Sequence, residues 1–109
     1  MFPSGDFKRF EHSLGVAHLA EEVCQKVFEN GGRKGLSMGE QDYIRESLSL
    51  AGLCHDLGHG PFSHVFDANV IPAINPTLKW SHEDASKMLL ENMIDVYSID
   101  IQKEQLNFI

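Results

Sequence analysis

The chain has 109 residues, 42% of them apolar and 23% charged, with 16 acids against nine bases and a formal net charge of -7. This ordinary composition fits one small globular domain and excludes collagen-like, coiled-coil and disordered chains. The acidic balance excludes broad neutralisation of a nucleic-acid backbone, but not a small phosphorylated ligand, because a cation and a few local bases can reverse the sign within one pocket.

The opening MFPSGDFKRF lacks the apolar run of a secretory signal. No stretch reaches the roughly 18 apolar residues that a membrane-spanning helix needs. Cys24 and Cys54 form neither a disulfide framework nor zinc-finger spacing, so both are expected as reduced thiols. A soluble, intracellular chain with no membrane partner is the expectation, with nucleus and cytoplasm left open.

The first predicted helix is marked by His12, Val16, Leu19, Val23 and Val27, which draw one stripe at helical spacing. His18, Glu21, Glu22, Gln25 and Glu29 form its polar side, and Asn30-Gly31-Gly32 is the expected stop. A second helix is predicted to open at Ser37-Met38-Gly39-Glu40, a capping box in which Ser and Glu three residues on exchange hydrogen bonds. Ile44, Leu48, Ala51 and His55 should line its inner face, with Gly58, Gly60 and Pro61 ending it. Residues 61–79 read as a loop with a short helical turn at Phe62–Phe66. Ser81 to Asp84 repeats the capping pattern and predicts a third helix, with His82, Ala85, Leu89, Met93 and Val96 inward. A fourth helix is expected to begin near Gln102, and the apolar ending Leu106-Asn107-Phe108-Ile109 looks like an interrupted element.

Each of these three stripes carries a histidine at or near a helix end: His12, His55 and His82. Any one alone is ordinarily a core or boundary histidine with a satisfied hydrogen bond. Three on separate helices point to a shared partner, because buried imidazoles need one and a cation supplies it. The sharpest local signal is Cys54-His55-Asp56-Leu57-Gly58-His59-Gly60-Pro61. Imidazole plus carboxylate suits a borderline divalent ion, and the negative end of a helix favours a cation there. His18 belongs to a polar face and reads as a surface residue, and Cys54 as a small core residue rather than a ligand.

The stretches Lys8-Arg9-Phe10-Glu11-His12-Ser13-Leu14-Gly15-Val16, Ala51 to His64 and Lys79-Trp80-Ser81-His82-Glu83 together resemble the HD-domain deoxynucleoside triphosphate triphosphohydrolases. The resemblance runs from about residue 7 to residue 97. It is nearest to the eukaryotic branch that joins a SAM domain to an HD domain. It implies an all-α fold: part of an HD-domain helical bundle, with three main helices and the start of a fourth. It also implies a divalent metal (Fe, Mn, Zn or Mg) and hydrolysis of a deoxynucleoside triphosphate to deoxynucleoside and triphosphate. In the longer protein it implies a homo-oligomer.

By the same matching His12, His55 and Asp56 fall on metal ligands, and His82 on the catalytic histidine. Arg9, His59 and His64 fall on substrate-contacting positions, with His59 and His64 also among the catalytic groups. Asp67 falls on an acidic partner of these histidines. The chemistry is apt: a guanidinium fork suits phosphate oxygens, an imidazole can protonate a departing oxygen, and a carboxylate can orient that imidazole. Surface balance for Arg9, a turn cap for Asp67 and an exposed loop position for His64 are the plain alternatives.

The family completes its metal site with an aspartate from a much later helix, so residues 1–109 read as the N-terminal part of an HD domain lacking that helix. Asp95 and Asp100 match no such motif. Other HD phosphohydrolases, such as a cyclic-nucleotide phosphodiesterase or a guanosine tetraphosphate hydrolase, share the His and His-Asp ligands, though the HGPFSH extension argues against them. A non-catalytic helical interaction module is the alternative from another class.

Overall fold

A computed structural model of the chain describes residues 8–101 and 103–106. All regular structure among them is helical: α1 (Arg9–Val27), α2 (Met38–Cys54), α3 (Ile71–Ile74), α4 (His82–Tyr97) and α5 (Lys103–Leu106). The all-α class expected from the sequence is therefore found. The chain forms two compact units that divide between Leu53 and Cys54. No helix among the described residues is long and apolar enough to cross a membrane.

In the first unit α1 starts after an extended Lys8 and runs into a wider π turn, Phe28–Gly32. The turn breaks at Gly31, whose φ of 98° lies where an L side chain is strained. The expected stop is thus where the sequence put it. Before α2 the capping box forms as read: the Ser37 amide donates to Glu40 Oε2 at 2.8 Å, and the Glu40 amide donates to Ser37 Oγ at 3.3 Å. The Ser37 hydroxyl, which donates to Glu40 Oε2 at 2.7 Å, and then the Ser37 amide hold the Glu40 carboxyl below the usual carboxylate range.

The buried face of α1 is not the expected stripe. Ala17, Cys24 and Phe28 are buried, whereas Leu19, Val23 and Val27 are more than half exposed. On α2 Ser47 is fully buried, while Leu48 is exposed. The reason is close helix contact: a Cβ added at Gly52 would lie 3.1 Å from Ala17 Cα and from the Val16 carbonyl oxygen. Backbones this near admit only small residues between them. Ser47 fits because its hydroxyl donates to the Tyr43 carbonyl at 2.7 Å and is no longer an unsatisfied polar group.

In the second unit α2 ends at Cys54, so His55 and Asp56 lie just beyond the helix, in a turn, rather than on its last face. The expected loop over residues 61–79 is corrected in part: residues 61–63 and 75–79 are non-helical and a helical turn is present at 64–66, but it continues through a π turn, Phe66–Val70, into α3. Pro72 explains the departure from a regular helix. It has no N–H to donate, and its ring crowds the carbonyl four residues back, which a widened preceding turn accommodates.

Helix α4 is capped as read, with Ser81 Oγ accepting from the Asp84 amide at 3.3 Å. It ends at Ser98, in the left-handed region at φ 52°. Its buried residues are Ala85, Ser86 and Leu90, while Leu89, Met93 and Val96 of the expected inner stripe are exposed. The turn after α2 sets this rotation by seating its backbone against α4. Helix α5 begins at Lys103, next to the start expected near Gln102; Gln102 itself and Asn107 to Ile109 lie outside the described residues.

Candidate active site

The turn leaving α2 brings the first two candidate ligands together. His55 Nε2 lies 3.1 Å from Asp56 Oδ1, with the Asp56 side chain only 10% exposed. The turn is held by Leu57 N donating to the Cys54 carbonyl at 3.2 Å and His59 N donating to the Asp56 carbonyl at 3.3 Å. It is then pinned to α4. The Gly58 amide donates to Ser86 Oγ at 2.8 Å, and Ser86 Oγ donates to the His55 carbonyl at 2.8 Å. A Cβ at Gly58 would fall on the His82 carbonyl oxygen and the Ser86 nitrogen, so only glycine fits this crossing.

After this turn the chain reaches His64 through two non-glycine residues in the left-handed region, Phe62 (φ 66°) and Ser63 (φ 53°). Each such residue costs about 1–3 kcal/mol and persists only where its surroundings fix it. Here Ser63 N donates to the Gly60 carbonyl at 3.0 Å, and Phe66 N donates to the Ser63 carbonyl at 2.9 Å.

The result is a compact group of imidazoles around one carboxylate. His59, His64, Asp67 and His82 each offer a donor atom, all within 4.8 Å of one another. The rings of His59 and His82 stack with centroids 3.8 Å apart, and His64 meets His59 edge-on at 4.8 Å. Asp67 Oδ2 lies 2.8 Å from His82 Nδ1 and 3.7 Å from His59 Nδ1. His59 Nε2 in turn lies 3.3 Å from Asp56 Oδ1, so this ring links the two carboxylates. On its outer side His82 Nε2 lies 3.3 Å from the exposed Glu83 carboxylate. That carboxyl is held below its usual range, chiefly by the Ser81 hydroxyl and a backbone donor, with His82 and His59 adding to the effect.

Five of the eight residues singled out in the sequence therefore share one carboxylate–imidazole network in the second unit: Asp56, His59, His64, Asp67 and His82. His55 joins it through Asp56. Arg9 and His12 lie in the first unit, on the first turn of α1, Arg9 exposed and His12 half-buried. As expected, His18 is exposed, 3.6 Å from Glu22 on the helix surface, and Cys54 is buried. Burial raises the Cys54 thiol above its usual pKa, which suits a core residue more than a ligand.

Two participants were missed in the sequence. Trp80 Nε1 donates to Asp67 Oδ1 at 3.0 Å, and Ser86 ties down the His55 turn. Trp80 stood beside the third motif, so an indole donor next to a capping serine was available as a signal. Ser86 gave none, being one serine within an amphipathic helix.

The HD domain family profile matches residues 9–106. The chain belongs to the HD domain family. This HD chain is 43% identical over 109 residues to the deoxynucleoside triphosphate triphosphohydrolase SAMHD1 of Homo sapiens, which covers 100% of this chain and 17% of that protein. It is 45% identical over 95 residues to the Bos taurus protein of the same name, covering 87% of this chain and 15% of that one. A SAMHD1 homolog of Dictyostelium discoideum is 39% identical over 100 residues, covering 92% of this chain and 18% of that protein. The HD chain thus spans less than a fifth of the length of each of these relatives.

Proposed function

We propose that this HD chain carries part of the active site of a metal-dependent phosphohydrolase that converts deoxynucleoside triphosphates to deoxynucleoside and triphosphate. The observation that carries the reading is the Asp67–His82 pair, 2.8 Å apart and stacked against His59, beside the His55–Asp56 turn. The names of the relatives support the substrate class.

His12, His55 and Asp56 would hold a divalent cation. The donor set fits: His55 Nε2 and Asp56 Oδ1 already converge at 3.1 Å, and imidazole with carboxylate suits iron, manganese or zinc. Bound there, the ion would supply Lewis-acid polarisation of a phosphoryl oxygen.

The chain's own residues supply the proton chemistry. The Asp67 carboxylate accepts from His82 Nδ1 and so directs Nε2 outward, where it can give a proton to a departing 5′-oxygen. His59 and His64 form the wall beside it and suit the phosphate oxygens, and Arg9 offers a planar fork for the same oxygens. Homo-oligomer formation belongs to the same reading of the longer relatives.

The test supplies the protein, as the 109-residue chain and within any longer gene product, with manganese or magnesium and dGTP, and measures triphosphate release. Release that His55→Ala abolishes is the expected result. Absence of triphosphate in every form, with wild type equal to His55→Ala, rejects the proposal.

A further inference from the structure

We infer that Trp80 is a positioning residue of this site, which fixes the tautomer of His82 through Asp67. The inference deepens the phosphohydrolase reading, and its catalytic meaning rests on it; the contact itself does not.

The two oxygens of Asp67 are divided between two donors. Oδ1 accepts the Trp80 indole N–H at 3.0 Å, and Oδ2 is 2.8 Å from His82 Nδ1. A carboxylate held by one such bond still rotates about its last torsion and can swing its free oxygen away from the ring. Held at both oxygens it is fixed in plane, and His82 keeps its proton on Nδ1. The other nitrogen, Nε2, then faces outward, where the exposed Glu83 carboxylate, 3.3 Å away, is the rival acceptor for the ring proton that the two bonds on Asp67 must outweigh. An indole suits this task because it only donates and keeps its charge state at all ordinary pH.

The anchor is itself anchored. Trp80 meets the Phe66 ring edge-on at 6.3 Å, and Phe66 opens the π turn that carries Asp67. Trp80 is two residues before the first residue of α4, which is His82. Both ends of the Asp67 bridge are therefore set by the same short stretch of chain. That stretch is locked by the Ser81 cap on the Asp84 amide. A tryptophan placed only for packing would have no reason to aim Nε1 at the carboxylate that holds the candidate proton donor.

The experiment uses the chain as it is, without metal or substrate, so its outcome is independent of whether the protein hydrolyses dNTPs. The sequence has one Trp, so selective ¹⁵N labelling gives a single indole signal. Histidine labelling reports the His82 tautomer at about pH 8.5, above the ordinary imidazole range. In wild type a downfield, slowly exchanging indole proton and an Nδ1–H His82 ring are expected.

Trp80→Phe should lose the Nδ1–H signal and shift the ring toward the Nε2–H form. Global replacement of tryptophan by benzothienylalanine, which keeps the ring and removes only the N–H, should do the same and covers the case of a poorly folded Phe variant. Asp67→Asn should move the indole proton upfield. Leu90→Ala, which removes a buried side chain two turns along α4 from His82 and touches no donor, should lower Tm and leave the tautomer unchanged. An Nδ1–H ring that persists in both tryptophan replacements overturns the inference.

Discussion

Ser86 Oγ donates to the His55 carbonyl oxygen at 2.8 Å, from a position 31 residues further along the chain. The same hydroxyl accepts from the Gly58 amide, so one buried atom closes both ends of the turn that carries Asp56. Ser86→Ala leaves that amide and carbonyl short of a partner in a site that is 1% exposed. Stranding such groups costs about 1–3 kcal/mol. Urea denaturation should show that loss, and hydrogen exchange at the Gly58 amide should accelerate well beyond the global change. Equal protection of that amide in wild type and variant would contradict this account of the turn.

Gly58 is fixed by neighbours rather than by its own torsion. A methyl group there meets two backbone atoms of α4 and comes within 2.6 Å of Ala85 Cβ, and none of these can move aside like a flexible side chain. Gly58→Ala is therefore expected to destabilise by about 1–3 kcal/mol through overpacking. It should also push His82 off Asp67, so turnover falls further than stability alone explains. Thermal melts together with kcat measured well below the variant's Tm separate the two effects. A variant with native Tm and activity would show that the crossing is looser than its geometry.

The capping box gives a prediction in pH. Glu40 has its carboxyl lowered by the Ser37 hydroxyl and amide, so the unfolded chain binds this proton at higher pH than the folded one. Its contribution to stability is present above the ordinary carboxylate range and is lost as pH falls through the lowered folded value. Melting wild type and Glu40→Gln between pH 7 and pH 3 should show a Tm difference at the upper end that closes toward the lower. A constant difference across that range would assign the effect to packing.

The parts of this chain that were legible are those governed by local chemistry. Ser37 with Glu40 and Ser81 with Asp84 marked two helix starts, and Gly31 marked a stop, because each works within four residues. The His–Asp turn and the gathering of His59, His64, Asp67 and His82 were legible through motif wording rather than periodicity. Ala85 is buried as expected, but the large apolar members of the helix stripes were misread for one shared reason. Reading large apolar residues as inward assumes helices spaced by Leu and Val, whereas these pack through Ala17, Gly52, Ser47, Ala85 and Ser86. A buried serine is invisible to a hydrophobic pattern until its acceptor is known. The helical run over residues 64–74 was hidden by Pro72, which reads as a breaker but follows a π turn that makes room for it.

Metal content tests the donor set directly. Elemental analysis of chain purified without chelator is expected to find a transition metal, with iron, manganese or zinc each compatible with two imidazoles and a carboxylate. Asp56→Ala and His12→Ala should each lower metal affinity at least about tenfold, since removing even a partner that orients a ligand costs that much. His64→Ala should leave it unchanged, since that ring belongs to the Asp67 group. Loss in His64→Ala but not in the other two would move the ion to the imidazole group, and no metal in wild type would remove it from this chain.

Glu83 stands on the outward face of His82, 3.3 Å from Nε2, the nitrogen that the phosphohydrolase reading needs for the departing oxygen. An anionic substrate arriving there meets a carboxylate first, held in place by the Ser81 hydroxyl. The group is exposed, so its repulsion is screened and modest. Glu83→Gln is expected to tighten binding of inorganic tripolyphosphate by about two- to fivefold at low salt, with the gain shrinking as ionic strength rises. The effect should vanish in a Glu83→Gln, His82→Ala double variant, because the anion would then have lost the donor that the carboxylate competes for. Isothermal titration of the four proteins decides it: unchanged affinity in the single variant would mean that Glu83 turns away from the ring in solution, leaving Nε2 open to substrate from the start.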